Sequence, residues 1–503
     1  MKISTRERLK HVADIKKLMN KNFYITTTLP YVNADPHIGF ALEIVQADII
    51  VRYRKLIGDE VFFNTGTDEH GVKVYTKAIE AAKDTQSYTD EYAEKFKKLK
   101  EVLNLYPEIT FIRTTDAKHK AAAQEFWRRC KANNDIYKKN YQVKYCIGCE
   151  LEKTDSELVD GKCSIHPNLD IEIRDEENYF FAFSKYGEKL LALYDANPDF
   201  VVPAYRLNEI KVLIKEKGLE DFSISRLKSK MPWGIAVPED EEHVMYVWFD
   251  ALINYVSTIG WPNDMTTFEK WWPVTQLAGK DQVRQQAAMW QAMLMSAGIP
   301  ASKQIIIHGF IQSGGQKMSK SLGNVIDPYK VVEEYSVDAL RYYLAREVSP
   351  FEDSDFTMAK FKEVYNANLA NGVGNLTSRI MRMATSNGIV LDDATSAKIV
   401  ETDVAKNLHQ KQTAGFENFN IKDVADAVWE VISFVDKLIQ TTEPFKTIKT
   451  DKAKGGEEIR ALVAYLDLIA VALLPILPET ATKISDCIKG NKMPDSPLFV
   501  RKD

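Results

Sequence analysis

Between Asn22 and Gly71 the chain alternates short apolar runs with a helical repeat, and that alternation leaves few folds open. Asn22–Leu29 (NFYITTTL) is rich in β-branched and aromatic residues and stops at Pro30, as a buried strand does. A loop, YVNADP, follows. From His37 the apolar spacing turns helical through ALEIVQADIIVRYRKLI and ends at Gly58. Glu60–Asn64 reads as a second strand, and TGTDEHG leads into another helix near Gly71. Strand, helix, strand, helix with short connections predicts an α/β protein with a parallel, doubly wound (Rossmann-like) sheet.

The sheet pattern then breaks and returns. From about Thr115 to Lys230 a Cys/His cluster, aromatic strands (NYFFAFS) and a charged helix read as an insertion between two halves of the sheet domain. The second half resumes near Val244 with VMYVWFD. It continues through TQLAGKD, a helix over Gln282–Ala297, the strand QIIIHGF and a glycine-rich loop ending in KMSKS. From Phe361 the pattern is long amphipathic helices with almost no strand signal, which predicts a bundle. A chain of 503 residues exceeds one ordinary core, and the expected divisions are 1–114, 115–230, 231–325, 326–360 and 361–503. Lys452–Glu458 (KAKGGEE) reads as an exposed turn between helices. Residues 1–21 are basic without an apolar stretch or cleavage site, so they read as a solvated leader helix and not as a signal peptide.

Composition excludes little beyond the membrane. No apolar run approaches the roughly 18 residues of a spanning helix. The net charge of −5, from 66 basic and 71 acidic residues, permits a nucleic-acid partner met by a local basic face. Five cysteines are too few for a disulfide framework, and a reducing cytoplasm is expected. Three of them join a histidine in Cys146-x2-Cys149-x13-Cys163-x2-His166, two pairs on two turns, which suits one tetrahedral zinc.

Two further motifs point to phosphate chemistry. Pro36-His37-Ile38-Gly39 lies where a strand loop enters a helix. Unpaired N–H groups and the positive end of the dipole make that a phosphate site, glycine allows close approach, and histidine can donate to a phosphate oxygen. Read alone, the same residues are also a simple helix cap. Lys317-Met318-Ser319-Lys320-Ser321 follows Gly314-Gly315, 280 residues beyond His37 and after a strand of the same sheet. Two lysines three apart in such a loop can converge on a polyphosphate.

The two motifs together resemble the pair that defines class I aminoacyl-tRNA synthetases. Three more segments, Thr28-Leu29-Pro30-Tyr31-Val32-Asn33, Gly66-Thr67-Asp68-Glu69-His70-Gly71 and Val247-Trp248-Phe249-Asp250-Ala251-Leu252, are similar to the methionyl-tRNA synthetase family. The resemblance implies a methionine–tRNA ligase that uses ATP with Mg2+ to make methionyl-AMP. The methionine then passes to the 3′ end of initiator and elongator methionine tRNA. It implies ATP contacts at His37, Gly39, Gly279, Asp281, Lys317 and Lys320, with His37 and the two lysines catalytic. It implies a methionine site of Leu29, Tyr31, Asp68, Trp248, Ala251, Tyr255 and Gln286, with Asp68 holding the α-ammonium. The knuckle zinc becomes structural, 326–360 a linking stem-contact segment, and 361–503 an anticodon-binding domain. There the segment Asn375-Leu376-Thr377-Ser378-Arg379 and Phe445 would read the anticodon; Asn375 and Arg379, four apart, share a helix face. With no tRNA-binding appendage after Asp503, a monomer is expected.

Three positions depart from the family pattern. Phe40 stands where the first motif ends in histidine, Gln285-Gln286 where an aromatic residue and a histidine face methionine, and Phe445 where a tryptophan stacks on the anticodon. Relatives for isoleucine, leucine or valine carry a large editing insertion, for which the roughly 115 residues between the sheet halves leave no room. The cysteine enzyme is shorter and keeps zinc in its active site, and a small nucleotidylyltransferase lacks the bundle. A silent tRNA-binding protein would have no use for an intact lysine pair.

Overall fold

The computed structural model describes residues 21–149, 151–153, 158–318 and 324–503. The leader helix expected over 1–21 therefore lies outside the described residues, Lys21 excepted. The main sheet has six strands: β1 (Asn22–Thr26), β2 (Glu60–Thr67), β3 (Thr110–Arg113), β4 (Val201–Val202), β5 (Thr275–Gly279) and β6 (Gln304–His308). Their order is β3-β2-β1-β5-β6-β4, every pairing parallel. The chain leaves β1 toward β2 and β3, then returns on the other side at β5. Ligands of such sheets bind beyond the carboxyl ends of the strands where the order reverses, here between β1 and β5.

β1 ends earlier than its composition suggests. Thr27 N still donates to Asn64 O at 3.2 Å, but Thr28 N donates to the Glu43 carboxylate at 2.5 Å. A side chain thus takes the N–H that a neighbouring strand would have taken, and the chain turns away. The helix that follows runs Ile38–Ile57, capped by the His37 side chain and closed by Gly58 at φ 103. It is buried along most of its length, polar Glu43, Gln46 and Asp48 included.

Sequence pattern misplaces three segments. β4 lies inside the 115–230 insertion yet pairs with β6, Val201 with Ile305 and Val202 with Ile306; a strand of two residues is too short to show a period. The VMYVWFD run is not a main-sheet strand. Asp240–Met245 pairs with Ser225–Leu227 and Ala236–Val237 in an antiparallel sheet, and Val247–Ala251 is a short helix. KAKGGEE is not a turn but the first turns of the helix Lys452–Leu473, capped by Asp451. A Cβ on Gly455 would come within 2.4 Å of the Ile448 backbone, so glycine serves close helix packing there.

From Met358 the chain is helical, as expected, and its core is continuous with that of the first sheet half. Tyr53 stacks on Phe416 at 3.7 Å across the joint. Beside it Arg341, fully buried, pairs with Asp48 at 2.7 Å and donates to the carbonyls of Leu103 (3.2 Å), Pro475 (3.0 Å) and Ile476 (2.9 Å). One guanidinium thus ties the His37 helix to the bundle.

Candidate active site

A cavity of about 370 Å3 opens at the β1/β5 switch, and His37, Gly39, Gly279, Asp281, Tyr31 and Met318 line it. The His37 ring is exposed, and its Nδ1 accepts from Gly39 N at 3.1 Å. That places the ring proton on Nε2 and makes the imidazole a neutral donor at a helix N-terminus. Phe40 forms another part of the wall and meets Phe96 edge to face at 5.5 Å, so an apolar corner replaces a second donor. Lys317 follows in the short strand Gln316–Lys317, paired with Ile311–Ser313. Lys320 lies outside the described residues.

Two cleft groups escape a reading by motif. Glu43 accepts from Thr28 Oγ1 at 2.8 Å and from His308 Nε2 at 2.8 Å; His308 Nδ1 donates to Gly309 O at 2.7 Å. Burial disfavours charge on His308, but Glu43 and the Gly309 carbonyl outweigh it and raise its pKa. Flanked by two acceptors, the ring is held toward its protonated form beside Glu43. The hint in sequence for Glu43 is a carboxylate within an apolar helical run, six residues after His37.

The expected methionine-site residues come from five segments, several of them locked together. Asp68, buried after β2, bridges backbone to backbone with Tyr31. Glu69 beside it holds Arg113 through two bonds of 2.7 and 2.9 Å. His70 reaches Asp250 at 2.6 Å, and His119 reaches the other oxygen of that carboxylate at 2.7 Å. Burial alone would push the Asp250 carboxyl up, yet the two histidines hold it at about 2. This joins the Asp68 loop to the helix that carries Trp248 and Ala251, both half-buried. Leu29 is half-buried in the loop after β1, and Tyr255 and Gln286 are buried. Gln286 differs from expectation: its amide is engaged by Gln276, Tyr255 and Gln282, so its polar groups are taken up inside the protein.

The knuckle residues converge as the spacing requires. One ligand atom from each of Cys146, Cys149, Cys163 and His166 lies within 4.8 Å of all the others. Cys149 Sγ is 3.3 Å from Cys163 Sγ and 3.2 Å from His166 Nδ1. Ligands about 2.0–2.3 Å from a tetrahedral zinc stand roughly 3.5 Å apart, so the set fits that ion. A Cβ on Gly148 would fall 2.5 Å from the His166 ring, so the turn between the first two cysteines needs glycine. In the bundle, exposed Asn375 and half-buried Arg379 share the helix Asn375–Ser386, and Phe445 is 43% exposed at the start of the helix Pro444–Thr450. Arg379 is held by an ion pair to Asp436, a partner that spacing gave no reason to expect.

The comparisons agree with this geometry. A family model described as tRNA synthetases class I (M) matches residues 23–167 and 148–381. One described as the anticodon binding domain of methionyl tRNA ligase matches 392–497. A methionine–tRNA ligase of Thermotoga maritima is 40% identical over 92% of this chain and 74% of its own length. One of Thermosynechococcus vestitus is 40% identical over 93% and 90%. The solved Mycobacterium tuberculosis methionyl-tRNA synthetase in complex with methionyl-adenylate superposes with a TM-score of 0.87 at 37% identity, covering 93% of each chain. On a matched family model over most of its length, and on relatives of this identity, the chain belongs to the methionyl-tRNA synthetase family of class I tRNA synthetases.

Proposed function

We propose that the protein is an ATP-dependent methionine–tRNA ligase. The observation that carries this reading is the cleft at the sheet's switch point, where a neutral His37 donor, the glycines Gly39 and Gly279, Asp281 and Met318 line one cavity, with Lys317 in the strand just before Met318. In the first step a methionine carboxylate oxygen attacks the α-phosphorus of ATP; the new P–O bond forms as the bond to pyrophosphate breaks. A carboxylate is already nucleophilic, so the work is positioning and stabilising phosphate charge. His37, Lys317 and Lys320 take that charge; Gly279 and Asp281 hold the adenosine side. In the second step the tRNA 3′-terminal hydroxyl attacks the methionyl carbonyl and AMP leaves.

Asp68 takes the α-ammonium, while Leu29, Tyr31, Trp248, Ala251 and Tyr255 enclose the side chain. A soft thioether suits aromatic walls. Magnesium enters with ATP as part of the substrate. Among the described residues no helix is long and apolar enough to cross a membrane.

The bundle reads the anticodon through Asn375, Arg379 and Phe445. Asp436 holds Arg379 before RNA arrives, which lowers the ordering cost of binding. Arg379→Ala should reduce charging of methionine tRNA at least tenfold while ATP–pyrophosphate exchange stays within twofold. Equal loss in both assays would give Arg379 a structural role instead.

Zinc in the knuckle fills all four positions with protein ligands and is structural. Elemental analysis of untagged protein should give about one zinc per chain, and Cys146→Ala with Cys163→Ala should abolish it. Protein purified without zinc, or a double variant that retains it, would contradict the assignment.

A further inference from the structure

Behind the proposed methionine pocket lies a chain of buried polar side chains whose hydrogen bonds run in one direction from a backbone anchor at Gln291. The Ser302 backbone N–H, which can only donate, donates to Gln291 Oε1 at 3.0 Å. The Gln286 carbonyl, which can only accept, takes Gln291 Nε2 at 2.9 Å. These anchors leave one orientation for the Gln291 amide, and its Nε2 also donates to Ser302 Oγ at 3.1 Å. With its oxygen accepting, the Ser302 hydroxyl gives its one hydrogen to Gln276 Oε1 at 2.5 Å. Gln276 Nε2 must then face Gln286 Oε1, and donates to it at 2.8 Å. Gln286 has only its amide hydrogens left to give, one to the Tyr255 hydroxyl oxygen at 2.9 Å and one to Gln282 Oε1 at 3.2 Å.

No link of this chain can reverse alone. Gln276, Gln286 and Gln291 are at most 1% exposed and Ser302 is 5% exposed. A flipped amide among them would set N–H against N–H or oxygen against oxygen with no water to relieve it. The consequence falls on Tyr255. A phenol has one hydrogen to donate, and its oxygen already accepts from Gln286. Among the described residues the hydroxyl meets no acceptor for its own hydrogen.

We infer that Gln276, Gln291 and Ser302 are specificity-positioning residues: they fix the Gln286 amide so that Tyr255 turns its O–H toward the amino-acid side chain as a donor. The inference rests on the proposed function, in which Tyr255 lines the side-chain pocket. A thioether sulfur accepts a hydrogen bond weakly, and a methylene accepts none. The device therefore selects methionine over norleucine, in which a methylene replaces the sulfur.

The test is ATP–pyrophosphate exchange with methionine and with norleucine, comparing kcat/KM for the two. Tyr255→Phe should lower the methionine-to-norleucine ratio about tenfold, the loss of one hydrogen bond. Ser302→Ala and Gln276→Met should lower it by the same order and leave the KM for ATP unchanged. Ser302→Thr, which keeps the hydroxyl, should restore the wild-type ratio. Adding Ser302→Ala to Tyr255→Phe should lower the ratio no further, because both act through one hydrogen. An unchanged ratio in Ser302→Ala, or losses that add in the double variant, overturns the inference while leaving the ligase reading intact. Wild-type protein that activates no methionine overturns that reading first, and the inference with it.

Discussion

His37→Ala should lower the turnover of methionine activation by about a hundredfold or more, the usual cost of removing one preorganised donor from developing phosphate charge. With Phe40 in place of a second histidine, no neighbouring imidazole in the motif backs it up. Phe40 packs edge to face on Phe96, and both rings line the cleft, so the corner is built for an apolar group. Phe40→His should accordingly give no gain. His37 has a second role as helix cap, worth about 1 kcal/mol. His37→Asn separates the two, since asparagine caps well but is too short to reach the phosphate. It should fold like wild type and activate methionine as poorly as the alanine variant. Turnover within threefold of wild type in both variants would remove His37 from the chemistry.

Arg341→Leu should destabilise the protein by about 3–5 kcal/mol, the range for losing one partner of a buried ion pair. Three carbonyls, of Leu103, Pro475 and Ile476, would lose their donor, and Asp48 would keep only Arg52 and the Tyr106 N–H. Lysine keeps the charge but not the fork, and a point donor cannot serve three segments at once. Arg341→Lys should therefore lose most of the same stability. Denaturant unfolding, followed by tryptophan fluorescence, is the measurement; a loss under 1 kcal/mol would show that the joint draws its strength from apolar packing such as Tyr53 on Phe416.

What the sequence disclosed follows from how local each signal is. The first strand, the His37 helix and the knuckle were legible because period, cap and ligand spacing are all written in contiguous residues. β4 was not, since Val201–Val202 becomes a strand only by pairing with Ile305–Ile306, a hundred residues away. Lys452–Glu458 misled because two glycines usually end a helix, whereas Gly455 is there to let the neighbouring helix in. The same division holds in the site. Motifs pointed to His37, Asp281 and Asp68, but the partners that set their surroundings come from distant segments: His308 for Glu43, His119 for Asp250, Asp436 for Arg379. Gln286 was legible as a position and not as a role, because its role depends on Gln276 and Tyr255, both outside the local sequence.

The central claim is that this cleft activates methionine. The direct test is ATP–pyrophosphate exchange by the wild-type protein with each of the twenty amino acids, without tRNA. The account predicts exchange that depends on methionine, with every other amino acid at least a hundredfold lower in kcat/KM. No exchange with methionine, or exchange driven equally well by isoleucine or leucine, would contradict it.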